Sequence, residues 1–181
     1  EQTGAVLAET VNVGTRADYA RCRGVDVDGI VGEEIVCLWN FNGGPTFGSR
    51  RVTLERYDGS SLVLIWSHDL GDYNGGSAEL PPGAIADLDG DGLLEIVAGG
   101  RAMDGTWTTS VLDAATGALL DTAPGQPVGV AELSGSGGSA ALVRNGGALV
   151  AMSCDGALAT VWSAPDRALV PPRPPDLRIR P

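Results

Sequence analysis

The chain has 181 residues, of which 27 are glycine and 11 proline, and it carries a net charge of −11 with every basic residue an arginine. That charge argues against a nucleic-acid partner, because such proteins present a basic face. At 43% hydrophobic the chain is not disordered, and His68 is its sole histidine, which leaves histidine-based acid–base and metal-hydrolase chemistry little to work with. Glycine is at roughly twice its usual share of ~7%. That excess predicts many tight turns, hence many short strands. No apolar run approaches the ~18 residues of a membrane span. The chain opens at Glu1 rather than Met, so it reads as a processed or excised segment. Cys22, Cys37 and Cys154 form no C-x-x-C pair, which excludes a zinc knuckle or a thioredoxin-type motif.

Residues 1–21, with VLAETVNV, read as strands of a preceding unit or as a closing strand. From there a phrase recurs three times: VDVDGIVGEEIV at 25–36, ADLDGDGLLEIV at 86–97 and AELSGSGGSAAL at 131–142. A second phrase follows each: YDGSSLVLIWS at 57–67, LDAATGALLDT at 112–122 and SCDGALATVWS at 153–163. Two landmarks in the same order define a repeat, and repeats decide a fold.

The first unit, about 22–70, predicts strands near 23–27, 34–40, 50–57 and 62–66. The second, about 83–123, predicts strands near 84–88, 94–98, 106–112 and 118–120. The third, about 127–163, predicts 128–133, 140–144, 147–152 and 157–162. Short β-prone runs bounded by Asp-Gly and Thr-Gly turns carry these assignments. No window sustains a capped 3.6-residue period, so helix is a poor reading. The fold class is therefore all-β. A four-stranded antiparallel unit repeated at this spacing is a propeller blade. Three blades do not close the usual ring of ~4–8. An incomplete or partial β-propeller is expected, completed by further blades of the parent chain or by another copy. Residues 164–181, ending PPRPPDLRIRP, read as a stiff linker or a tail lying along the surface.

The most specific local feature is Asp87-Leu88-Asp89-Gly90-Asp91-Gly92-Leu93-Leu94-Glu95. Carboxylates at ~5 Å repel by roughly 3 kcal/mol per pair at an effective dielectric of ~20. A hard divalent cation removes that cost, and calcium takes ~6–8 oxygens. Asp87, Asp89, Asp91, the Leu93 carbonyl and Glu95 are the candidate ligands, with Gly92 turning the loop. The first half matches an EF-hand loop, but position 12 is Ala98 and the flanks read as strands. An Asp-Gly turn without metal is the plain alternative. In the first copy Asp26, Asp28 and Glu34 remain, while Ile30 takes the third ligand position. That makes it a weaker loop, or one held by its turn alone. In the third copy the positions are Glu132, Ser134, Ser136 and Ala140, which reads as metal-free.

On these residues the chain resembles the FG-GAP/VCBS repeat family, the blades of integrin-alpha-like propellers. The resemblance covers about residues 22–163, and only the middle loop is a full match; the FG and GAP signatures themselves are not carried. LDAATGALL also resembles the third hairpin of quinoprotein-like blades. The family resemblance implies calcium on Asp87, Asp89, Asp91 and Glu95, in the hairpin between strands one and two.

Connecting segments on the opposite face hold Asn42, Phe47, Arg50, His68, Asp72 and Tyr73 as candidate contacts for a protein or glycan partner, or as plain solvated loop. Trp66 and Trp162 fall at equivalent points, which favours packing between blades over a stacking site. Cys22 and Cys37 sit almost opposite one another across the first hairpin, as a disulfide or as two buried thiols. A disulfide and calcium both fit a secreted or cell-surface protein. The leading expectation is a non-enzymatic binding or scaffold module. The second is the non-catalytic propeller part of a secreted enzyme such as a polysaccharide lyase.

Overall fold

In the computed structural model, residues 17–30, 34–41, 49–72, 77–132, 138–155 and 157–166 are described. The segments holding Asn42, Phe47 and Tyr73, the tail from 167, and residues 1–16 lie outside them. Three antiparallel sheets follow one another along the chain, with no α-helix among the described residues. The first sheet is β1 (Ala17–Val25), β2 (Glu34–Phe41), β3 (Ser49–Tyr57) and β4 (Leu62–Asp72), in that order. In the middle sheet, β5 (Ala78–Glu79) and β6 (Ile85–Ala86) both pair with β7 (Glu95–Arg101). There β8 (Trp107–Asp113) and β9 (Leu119–Pro124) follow outward. The third sheet is β10 (Gln126–Glu132), β11 (Ser139–Asn145), β12 (Ala148–Cys154) and β13 (Leu158–Pro165). No helix is long and apolar enough to cross a membrane.

Alternating side chains give each sheet two faces. Val36, Leu38, Val52 and Leu54 of the first sheet pack on Ile96, Ala98 and Leu112 of the middle sheet. From the other face of the middle sheet, Val97 and Val111 pack on Ala141, Val143 and Cys154 of the third. Fully burying a Val, Leu or Ile contributes ~1.5–3 kcal/mol, so the two inter-sheet layers hold the array together. The middle sheet is apolar on both faces because it is covered on both. That is why Glu95–Arg101 reads EIVAGGR, buried along six of its seven positions.

Three boundaries differ from the sequence expectation. β1 begins at Ala17, so residues 17–21 belong to the first sheet rather than to a preceding one. The first strand position of the middle sheet is split, because Pro81 and Pro82 lack the N–H that a ladder needs. The Ala84 amide closes that turn on the Pro81 carbonyl at 3.1 Å. β4 runs on to Asp72, so His68 and Asp72 are strand residues and not loop residues. Their backbone pairs with Val52 and Ser49, and Leu70 is buried. Arg50 likewise lies in β3, opposite Gly71, and is fully buried.

Cys22 and Cys37 are direct partners across β1 and β2, with a Cα–Cα distance of 4.1 Å, and they form a disulfide. Cys154 is a buried free thiol.

Candidate metal centre

The acidic loop at 87–95 connects β6 to β7. Its backbone is wrapped around its own carboxylates. Asp87 accepts from the amides of Gly90 (2.6 Å) and Gly92 (3.0 Å). Asp89 accepts from Asp91 (3.0 Å), and Asp91 from Leu93 (2.7 Å). Glu95, at the start of β7, accepts from the buried Leu88 amide at 2.7 Å. Gly90 and Gly92 adopt φ of 86° and 89°, a region closed in practice to other residues. The spacing thus builds a cup whose wall is amides and whose floor is a buried glutamate.

Oxygens of Asp87, Asp89 and Glu95 lie within 4.8 Å of one another. Asp91 stands outside that triplet, its carboxylate turned to the Leu93 amide. Leu93 exposes its side chain to solvent. Glu95 is 5% exposed. Burial pushes its carboxyl up to about 7, against the pull of the Leu88 amide, and the neighbouring Asp89, Asp91 and Asp87 push the same way. Asp89 and Glu95 each use one oxygen on an amide, while both oxygens of Asp87 accept amides. An all-carboxylate oxygen set on a glycine-turned loop fits a hard divalent ion. Such an ion would neutralise the triplet and tie the two ends of the hairpin together.

The first loop solves the same charge problem differently. Asp26, Asp28 and Glu34 form a second triplet within 4.8 Å. Here Arg56 of β3 reaches in. Its Nε donates to Glu34 Oε1 at 2.7 Å, and a terminal guanidinium nitrogen donates to Asp28. Glu34 is fully buried, and its other oxygen accepts from the Val27 amide at 3.1 Å. The Glu34 hydrogen bond holds Arg56 above its ordinary range. A side-chain cation therefore occupies this cup. Sequence reasoning weighed the missing acid at Ile30 but missed Arg56. The readable signal was its β3 register, opposite Glu34.

In the third copy Ala140 is buried and carries no ligand atom, and Ser134 and Ser136 lie outside the described residues. The third sheet instead meets the middle loop directly. The Ser139 amide donates to the Asp87 carbonyl at 2.9 Å. A Cβ added at Gly138 would lie 3.0 Å from the Leu88 carbonyl oxygen. Beside this contact opens a cavity of about 220 Å³, bordered by Asp89, Ser139, Ser153 and Asp155. Of the opposite-face candidates, Arg50 is buried in β3 and His68 sits in β4.

No protein-family model matches the chain, and a search of curated proteins finds no match. Three solved structures share its fold. Rhamnogalacturonan lyase YesW is 21% identical with a TM-score of 0.57, over 84% of this chain and 34% of that one. The exotype rhamnogalacturonan lyase YesX is 18% identical with a TM-score of 0.55, over 86% of this chain and 34% of that one. The Bacillus licheniformis rhamnogalacturonan lyase PL11 is 20% identical with a TM-score of 0.51, over 86% and 35%. At such identities the likeness is one of fold. The chain spans about a third of the length of each.

Proposed function

We propose that these residues are part of the β-propeller of a secreted polysaccharide lyase, built of FG-GAP/VCBS-type blades and stabilised by calcium. The observation that carries this reading is the fold likeness to three rhamnogalacturonan lyases over 84–86% of the chain. It favours the enzyme-associated expectation over a free-standing adhesion module. In this reading the segment itself serves as a scaffold that meets the polymer without cleaving it. Calcium would be held by Asp87, Asp89 and Glu95, with Asp91 and the Leu93 carbonyl as further oxygens on the same loop, and would tie the hairpin together. The Cys22–Cys37 disulfide supports an oxidising, extracellular setting.

The test is affinity electrophoresis of the 181-residue chain through gels cast with rhamnogalacturonan or with a neutral galactan, alongside an assay for new polymer chain ends. A net charge of −11 rules out attraction of an acidic polymer by bulk charge. Retardation by rhamnogalacturonan alone, without new chain ends, is expected. Equal mobility in both gels overturns the carbohydrate reading, and cleavage by the isolated chain overturns the scaffold role.

A further inference from the structure

The outer strands β4, β9 and β13 carry the same irregularity. In β4, Leu54 pairs with Trp66 and Glu55 with Leu64, so Ile65 is bulged out. In β9, Val111 pairs with Asp121 and Leu112 with Leu119, so Leu120 is bulged. In β13, Ala151 pairs with Trp162 and Met152 with Thr160, so Val161 is bulged. A bulge re-aims the residues beside it and is a built feature of a sheet. Trp66, Asp121 and Trp162 are thus one structural position repeated three times.

Two of these residues reach the next sheet at the same place. Trp66 crosses to the turn between β8 and β9, where its indole N–H donates to the Ala114 carbonyl at 3.1 Å. Gly117 of that turn is at φ 70°, and a Cβ there would lie 2.5 Å from the Trp66 ring. The ring therefore rests flush on a glycine. Asp121 crosses to the start of β13, just past the turn from β12, where it accepts from the Leu158 amide at 2.6 Å. Trp162 has no such turn in front of it among the described residues, and it is 47% exposed.

We propose that Trp162 is the third latch in this series, and that β13 docks a further four-stranded antiparallel sheet presenting a glycine-bearing turn between its third and fourth strands. The occupant follows from continuity with the two junctions already formed, one of which seats this same side chain on a glycine. The inference rests on the propeller part of the reading above. It assigns Trp162 to an intersheet contact rather than to stacking on a sugar. The partner surface must offer a glycine under the ring and a carbonyl for the indole N–H.

The test extends the chain by its own middle unit, with a second copy of residues 73–124 joined after Asp166. That unit already accepts Trp66. Trp162→Ala is then introduced into the extended and the original chain. The melting temperature of the extended chain should fall by at least about 4 °C and that of the original by less than about 1 °C. Equal effects in both chains overturn the proposal. Should the extended chain not fold, a cyclised hairpin of residues 110–122, which contains no tryptophan, is titrated to millimolar into the original chain. A shift of the Trp162 indole resonance, absent with a Gly117→Val hairpin, is the expected result. No shift, or a shift with rhamnogalacturonan oligomers only, overturns it. Neither readout involves the polymer's retardation, so this proposal and the carbohydrate reading fail separately.

Discussion

Arg56 and Asp113 occupy the same position in successive sheets, each directly across from the buried glutamate that closes its loop: Glu34 faces Arg56, and Glu95 faces Asp113. The exchange of charge at that one position divides the two acidic cups. Asp113 turns away and closes its own turn, accepting from the amide and the hydroxyl of Thr116 at 2.7 Å. The middle cup is left with carboxylates only, and the first is filled by a guanidinium.

Arg56→Met should expose this division. It leaves Asp28 and buried Glu34 without their cation and should destabilise the protein. Millimolar calcium should restore part of that loss by occupying Asp26, Asp28 and Glu34. Chemical denaturation of wild type and variant, with calcium and with chelator, checks it; a loss that calcium leaves untouched contradicts the shared origin of the two cups.

The middle loop should account for the calcium response of the wild-type chain. Calcium is expected to raise the melting temperature relative to chelator, Asp89→Asn to abolish the rise, and Asp26→Asn to leave it in place. Calorimetry under the two conditions decides the matter. A rise that survives Asp89→Asn places the ion elsewhere.

Glu95 gives the metal-free protein a pH signature. Its carboxyl is raised from 4.5 to about 7 in the folded state, chiefly by burial. Between those values the folded chain holds a proton that the unfolded chain has released. Stability therefore falls as pH rises from about 4.5 to about 7, by at most ~3 kcal/mol. A bound cation favours the ionised form, so saturating calcium should flatten the slope. Urea midpoints across this range in chelator should decline, and Glu95→Gln should remove the decline.

The disulfide closes a separation of 15 residues, and a loop of that size is worth about 3 kcal/mol. Replacing Cys22 and Cys37 by alanine should lower the melting temperature by roughly 6–12 °C in a chain of this length. Alkylation of the denatured protein should count one thiol, Cys154, before reduction and three after. Before denaturation Cys154 should resist the reagent, because it is buried and desolvation raises its thiol pKa.

Much of this architecture was legible in the sequence for one reason: turns recur. Asp-Gly and Thr-Gly steps and the acidic phrase fall at matching points, so most strands could be placed to within a few residues, while the start of β1, the end of β4 and the short β5 could not. The segment 67–72 was misread because Ser-His-Asp-Leu-Gly-Asp is polar in composition. Its pairing is decided by backbone facing 49–53, with buried Leu70 as an apolar marker. Arg56 was missed because a charge on a strand looks like a solvated face until register places it opposite Glu34. Asp121 was missed because its alignment with two tryptophans hides a shared position behind unlike chemistry. Local patterns carry turns and alternation, whereas partners across sheets come from packing that no short window contains.

The hydrogen bond from the Ser139 amide to the Asp87 carbonyl makes one residue answer to two neighbours. The carboxylate of Asp87 belongs to the loop, while its carbonyl belongs to the seam with the third sheet. Whatever tightens the loop thereby fixes the position of that seam. An ion held in the loop would therefore also brace this edge of the seam, alongside the apolar layer of Val97, Val111, Ala141 and Val143. Slow deuterium uptake at Ser139 would then serve as a gauge of ion occupancy, read from a sheet that contributes none of the ligands.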